Sequence, residues 1–438
     1  MLTQNKMQIE YTHEFINLIN NSGINYCVLR NFKSLPRSTG KSDFDILIHD
    51  KCVNDFNKLI KQFIELHKLK LVSLIDDKHC PKYCILTTNW GIQIDAFKKS
   101  VYFGNKEIIS SSVLFENIEN YKGVQVLNQR IGALLAFLKE LLNNKVCKKK
   151  YILDLQNQFQ NQDINAQFLS QFSQKFIFYL NKNLNNLDEK HCVELYKLTK
   201  KKFRKYKFYG IKNKVMRFSK QPGFSIAFLG VDGSGKSTII DNITPILNQS
   251  FHNSIYYEHM RPNKLPSIAR LLGGNEEFNK PVTNPHKSKP SGFFVSLLRW
   301  LYYTIDYTFG FYLKVWPKKA IRSCVWIFDR YYYDYLLDSK RAKIKLPRLL
   351  IKLGQFLINE PDLILCLGTD PKTIHDRKPE LTIDEVERQV EALKEFSMTH
   401  KQAVWIDTGV DIEISSNNVM KAIVNMMSKR FHSINFNK

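Results

Sequence analysis

The chain has 438 residues, long enough for two or three domains, and 44% of them are apolar, enough to fill ordinary cores of a soluble globular protein. Its 65 Lys and Arg against 41 Asp and Glu leave a net charge of +24, which predicts an anionic partner. Eight scattered cysteines, with Cys80 and Cys84 lacking a second pair, argue against a zinc site or a disulfide framework and for reduced thiols in a cytoplasm.

Met1 is followed by polar residues, so no secretion signal is expected. The longest apolar stretch, residues 300–313, contains Asp306 and is flanked by Arg299 and Lys314, which is too short and too charged for a membrane span. Tyr11, Phe15, Leu18 and Ile19 form a helical stripe that Asn21-Ser22-Gly23 ends, and residues 24–29 read as a strand. A second strand over 44–48 follows Asp43, and period-two geometry puts Asp43 and Asp45 on one face. A helix marked by Val53, Phe56, Leu59, Ile60 and Phe63 leads to a strand over 69–75. A hairpin then turns at Asn89-Trp90-Gly91 and returns through 92–97, carrying Asp95.

Two aspartates side by side and a third on a neighbouring strand can hold the divalent ions of a phosphoryl or nucleotidyl transfer. With those three carboxylates, residues 24–97 resemble the minimal nucleotidyltransferase fold, an α+β domain, and the resemblance implies Asp43, Asp45 and Asp95 as metal ligands. The usual Gly-Ser pair after the first strand is replaced by Leu29-Arg30-Asn31, where Arg30 can meet phosphate by direct charge or the site is inactive. From Val126 to about Tyr209 the pattern is helical. Residues 197–220 then form a basic linker without an acid, readable as a solvated helix or as a surface for weak association with anionic surfaces.

The strongest local signal is Gly230-Val231-Asp232-Gly233-Ser234-Gly235-Lys236-Ser237, preceded by a buried strand over 224–229 and followed by a helical stripe through Ile239, Ile240, Ile243, Ile246 and Leu247. Glycines let backbone N–H groups approach a polyphosphate, Lys236 can reach the β- and γ-phosphates, Ser237 can ligate Mg²⁺, and the helix N-terminus faces the anion. Gly230, Gly233, Ser234, Gly235, Lys236, Ser237 and Thr238 are therefore the expected ATP-binding residues. Four further strands, at 255–257, 324–328, 363–367 and 403–406, alternate with helices and predict a five-stranded parallel sheet covered on both faces.

The loop, Phe328-Asp329-Arg330-Tyr331, Pro361-Asp362 and Asp370-Pro371 together resemble the thymidylate kinase family of nucleoside-monophosphate kinases over residues 221–410. That resemblance implies ATP and Mg²⁺, with Lys236, Asp329, Arg330 and the lid residue Arg377 catalytic and Ser237 and Asp329 at the metal. It also implies Asp232 and Arg261 at the acceptor, where Asp306 and Tyr331 join them. Arg261 and Arg330 are expected to converge opposite Lys236 and so to select an acceptor that already carries negative charge. The alternative for Arg261 is a structural ion pair with Asp306, Asp329 or Asp334. Thr382 with Glu385 can box the helix after the lid.

Two departures point away from thymidylate as acceptor: some sixty residues between the second and third strands, including Asn284-Pro285-His286-Lys287, and the charged run Asp338-Ser339-Lys340-Arg341. The expected organisation is an α+β nucleotidyltransferase-like domain at 1–122, a helical segment with the basic linker at 123–220, and an α/β phosphate-loop domain at 221–438. The expected activity is ATP- and Mg²⁺-dependent phosphorylation of a small anionic acceptor such as a nucleotide or sugar phosphate, and by analogy a role in surface-polysaccharide synthesis. Two readings from other classes stand beside it: a nucleotide-operated regulator or nucleic-acid-associated protein, and a nucleotidyltransferase working through the N-terminal half.

Overall fold

The computed structural model describes residues 2–40, 42–160, 162–200, 202–203, 221–266, 292–339, 341 and 344–431. Most of the basic linker and all of 284–287 lie outside them. No helix among them is long and apolar enough to cross a membrane.

The N-terminal sheet is built from β1 (Tyr26–Val28), β2 (Phe44–Ile48), β3 (Lys70–Ile75), β4 (Lys82–Leu86) and β5 (Gly91–Lys98). A small separate hairpin of β6 (Tyr102–Phe103) and β7 (Lys106–Glu107) follows, and the sheet resumes with β8 (Ile118–Tyr121) and β9 (Val124–Leu127). The sheet order is β3-β4-β5-β2-β1-β9-β8, with β2–β5 and β1–β9 parallel and the other pairs antiparallel. Alternation decides its two faces. Ile46, Ile48, Ile92 and Ile94 meet Phe15, Phe56 and Phe63 of the two covering helices, while Leu47 and Phe97 turn to the opposite face and meet Leu134, Leu138 and Leu141.

The helical reading from Val126 starts too early: residues 124–127 are a strand, and the helix Gln129–Asn144 begins after an Asn128 cap. Gly123, at φ +81°, makes the tight turn between β8 and β9, so the sheet continues past residue 122. Four residues of alternation are too few to outweigh the long helical stripe that follows. Among its described residues the rest of the segment carries helices Lys149–Gln158, Gln174–Asn183 and Glu189–Thr199.

The C-terminal half carries β10 (Phe224–Leu229), β11 (Ile255–His259), β12 (Val325–Asp329), β13 (Leu363–Gly368) and β14 (Ala403–Asp407). All pairs are parallel, in the order β11-β12-β10-β13-β14, as expected of strands alternating with helices. Asp362, at the start of β13, accepts from the N–H and hydroxyl of Ser225 (2.7 and 2.8 Å) and from Lys319 Nζ (2.7 Å), tying the amino ends of the central strands together. Helices Lys236–Ser250 and Ile412–Lys429 cover one face, while Trp300, Tyr307, Ile351 and Leu393 cover the other.

The halves share a core. Val72, Cys84 and Leu86 of β3 and β4 pack among Ile243, Leu247, Val419 and Ile423 of the C-terminal helices. Ser250 Oγ donates to Ile85 O (2.6 Å), Gly91 N donates to Gln249 Oε1 (2.8 Å), and Ser73 Oγ donates to Pro222 O (2.8 Å).

Candidate functional site

β10 ends in the middle of its sheet, between β12 and β13, so the loop from Gly230 to Gly235 opens at the carboxyl edge where order reverses. A Cβ on Gly230 would stand 2.6 Å from Leu367 O, and one on Gly233 (φ +90°) 2.8 Å from Ile374 O, so neither place accepts a side chain without movement. Around Gly235 (φ +83°) the corresponding space is open. Lys236 folds back over the loop and donates to Gly230 O (2.8 Å) and Val231 O (3.0 Å). Burial, reinforced by the Arg330 charge, lowers its ammonium to about 7 despite nearby Asp232 and Asp329. Ser234 Oγ is buried without a partner, and Ser237 and Thr238 are exposed on the first helical turn.

Opposite the loop, Asp329 closes β12 and Arg330 takes a left-handed conformation at φ +71°. Its guanidinium is buried and donates through Nη1 to Asp334 (2.6 Å) and through Nη2 to Asp232 (2.5 Å). Arg341 Nη1 donates to the other oxygen of Asp232. Burial opposes ionisation of Asp232, but Arg330, Lys236 and Arg341 outweigh it and hold its carboxyl far below the usual range. Asp329 Oδ2 accepts from the Tyr257 hydroxyl at 2.8 Å, with His259 Nδ1 at 3.7 Å. Burial is again outweighed, here by His259, Lys236 and Tyr257, and Asp329 is held down at about 2. Its Oδ1 is buried without a partner.

The sequence marks Asp334 only as a structural ion-pair partner and Arg341 only as part of the charged run 338–341; the structure puts Asp334 on Arg330 and Arg341 on Asp232. Asp334 stands four residues after Arg330, a spacing that brings side chains together on one helical turn. Nothing local marks Arg341, which reaches Asp232 from 109 residues away.

The other expected residues have different places. Arg377 donates through both terminal nitrogens to Thr408 O (3.2 Å each), and Tyr331 is wholly buried with its hydroxyl on Asn359 O. Thr382 makes no side-chain cap bond, and Glu385 pairs with Arg388. Arg261 shares no carboxylate with Arg330. Its Nη1 donates to Asp306 Oδ2 (2.5 Å) and Leu265 O (2.9 Å), and its guanidinium lies over the Tyr303 ring. Asp306, fully buried, also accepts from the backbone N–H groups of Asn263, Lys264 and Leu265 at 2.9–3.0 Å. This is the ion-pair alternative: a buried carboxylate needs a cation and donors, and the loop after β11 supplies both.

In the N-terminal sheet the parallel register sets Asp45 beside Asp95, and Asp43, Asp45 and Asp95 offer carboxylate oxygens within 4.8 Å of one another. Arg30 donates to Asp45 and lies 4.0 Å from Asp43, while Lys82 donates to Asp95. Burial raises the Asp45 carboxyl, against the pull of Arg30 and Lys139, and its Oδ1 has no partner. Asp43 and Asp45 line a cavity of about 830 Å³ with Arg30, Lys139, Lys150 and Asn253. Asn253 follows the phosphate-loop helix, so this cavity borders the C-terminal half.

The C-terminal half thus has the architecture of an α/β domain built on a five-stranded parallel sheet. No protein-family model matches the chain, and no curated protein does. Among solved structures, the thymidylate kinase of Ehrlichia chaffeensis is similar over 45% of this chain and 97% of that one, at 16% identity and a TM-score of 0.31. The functional reading rests on the geometry of the site itself.

Proposed function

We propose that the chain is an ATP- and Mg²⁺-dependent phosphotransferase whose acceptor is a small anionic molecule. The observation that carries this reading is the loop Gly230–Ser237 with Lys236 folded over it, facing a rim of Asp329, Arg330, Asp232 and Arg341. The residues fit a nucleotide and its metal. Gly230 and Gly233 exclude side chains, space is open at Gly235, and Ser234 Oγ and Asp329 Oδ1 are buried polar atoms awaiting a partner. Ser237 and Asp329 would hold the Mg²⁺, which when bound neutralises charge on the β- and γ-phosphates.

An acceptor oxygen would attack the γ-phosphorus as the bond to the β–γ bridging oxygen breaks and ADP leaves. Catalysis of such a transfer is mainly positioning and charge neutralisation, and this is what the chain's residues offer. Lys236 meets the β- and γ-oxygens, and Arg330, fixed by two carboxylates, meets the transferring group. Asp232, held ionised by two arginines, orients the acceptor. Lys236→Ala should lower ATP turnover at least about a hundredfold. Undiminished turnover in a folded variant would exclude phosphotransfer at this loop. An acceptor lacking charge as the best substrate would overturn the anionic assignment.

A second reading has a specific observation behind it: the three aspartates beside a large cavity, with Asp45 Oδ1 unpartnered. They suit a divalent ion in a nucleotidyltransferase-like domain, with Arg30 in the place of the missing Gly-Ser. Asp43→Asn with Asp45→Asn should abolish Mn²⁺ binding at this site in calorimetric titration and leave C-terminal phosphotransfer largely intact. Loss of phosphotransfer in the folded double variant would mean that the two halves form one site.

A further inference from the structure

Residues 293–321 form one continuous helical rod: an α-helix over Phe293–Ile305, a π-wound stretch over Asp306–Val315 and an α-helix over Trp316–Ile321. Its inner face is spent on the core through Trp300, Tyr307, Phe311 and Val315. Its outer face carries Phe294, Leu298, Leu301, Ile305, Phe309 and Leu313 at spacings of three and four, with Phe294 78%, Leu298 68%, Phe309 63% and Leu313 66% exposed. The helix Arg348–Gly354 and the turn after it lie alongside. Lys345 N donates to Ser296 Oγ (3.0 Å), a Cβ on Gly354 would stand 2.7 Å from Trp300, and Thr308 Oγ1 donates to Leu357 O (2.8 Å). That second element adds exposed Leu349, Leu353 and Phe356, the last 86% exposed.

Side chains of this size amount to on the order of 1,000 Å² of apolar surface, against the few hundred typical of the largest patch on a monomer. The exposed charge on the two stretches themselves has one sign; the acids at their borders are Glu258, paired with Lys314, and Glu360 just past the second. The sole acid in residues 292–322 is Asp306, wholly buried and paired with Arg261, and residues 344–359 contain none. Arg322, Lys345, Arg348 and Lys352 are exposed beside the apolar side chains, on a chain whose net charge is +24.

We propose that this face seats the protein on an anionic lipid surface. The apolar side chains of the rod enter the headgroup and acyl boundary, and the flanking Lys and Arg meet lipid phosphates. An interfacial helix needs this pairing of an apolar face with basic flanks. A second copy is less well suited, because a twofold interface would bring the basic flanks of both copies together with no exposed acid on either stretch to receive them. The proposal is independent of which half carries catalysis.

The test is co-sedimentation of the full chain with vesicles of phosphatidylcholine alone and of phosphatidylcholine with one third phosphatidylglycerol. Binding is expected to the anionic vesicles and to weaken with salt. Leu298→Glu with Phe309→Glu should lower the bound fraction at least about tenfold, with ATP turnover and melting temperature kept, because both side chains are exposed. Lys345→Glu with Lys352→Glu should reduce binding to anionic vesicles without altering the apolar stripe. The proposal is overturned if wild type binds neither vesicle, or if binding survives Leu298→Glu with Phe309→Glu and so belongs to another basic segment. It is also overturned if sedimentation shows a dimer that Leu298→Glu dissociates while no vesicle binding is seen, which would make the face an interface between copies.

Discussion

Lys236 is enclosed by the loop it closes, and burial with the Arg330 charge lowers its ammonium to about 7. A bound triphosphate would restore the charge. Nucleotide binding should therefore take up protons at pH 8, and affinity should fall as pH rises from 7 towards 9. Titration calorimetry in two buffers of different ionisation heat measures this, and identical heats would refute it. The same shift has a sign for stability. Between about 7 and the unfolded value near 10.5 the unfolded chain holds more protons, so this group's destabilising effect is full below about 7 and is relieved as pH rises. The type and spacing of the loop residues were legible in the sequence because each answers to local backbone and phosphate chemistry. The double clamp on Asp232 was not, because Arg341 arrives through the tertiary fold.

At the scale of elements, the rod 293–321 and the loop after β11 hold each other through Asp306. The carboxylate takes Arg261 and three backbone N–H groups, and Gly310 is required beside it, since a Cβ there would stand 2.3 Å from Asp306 Oδ1. Arg261→Ala would leave that buried carboxylate without its cation. We expect a loss of about 3 kcal/mol in urea unfolding, whatever the variant does to acceptor use. Unchanged stability would return Arg261 to a role at the acceptor alone. In sequence, Arg261 and Asp306 were both visible as charges near the site. Their pairing across 45 positions was only one of several alternatives.

Over the whole molecule, the helix Lys236–Ser250 begins at the phosphate loop and ends against the N-terminal sheet, where Ser250 meets Ile85 O and Asn253 borders the aspartate cavity. Gly91 sits at this contact: a Cβ would stand 2.2 Å from Ser250 Oγ and 2.9 Å from Leu86. Gly91→Val should force the halves apart, lower the melting temperature and disturb the shared core around Val72, Cys84 and Leu86. If the halves instead melt separately in the wild type, and Gly91→Val moves only the N-terminal transition, they are energetically independent.

The sequence by itself determined the glycine-rich loop 230–237 between strand and helix, the five parallel strands and the aspartates on adjoining strands. Each follows from short-range rules, namely glycine freedom at Gly230 and Gly233, strand alternation, and the 3.6-residue period of the flanking helices. Only the tertiary structure decided that Arg261 serves Asp306, that Arg341 serves Asp232, and that β9 joins the N-terminal sheet beside β1. It also decided that one face of β3 and β4 is buried against the phosphate-loop helix. These are choices of partner among several chemically suitable ones. A long side chain or a short strand carries no local signal of which partner it meets, because that depends on where distant segments lie once the cores have packed.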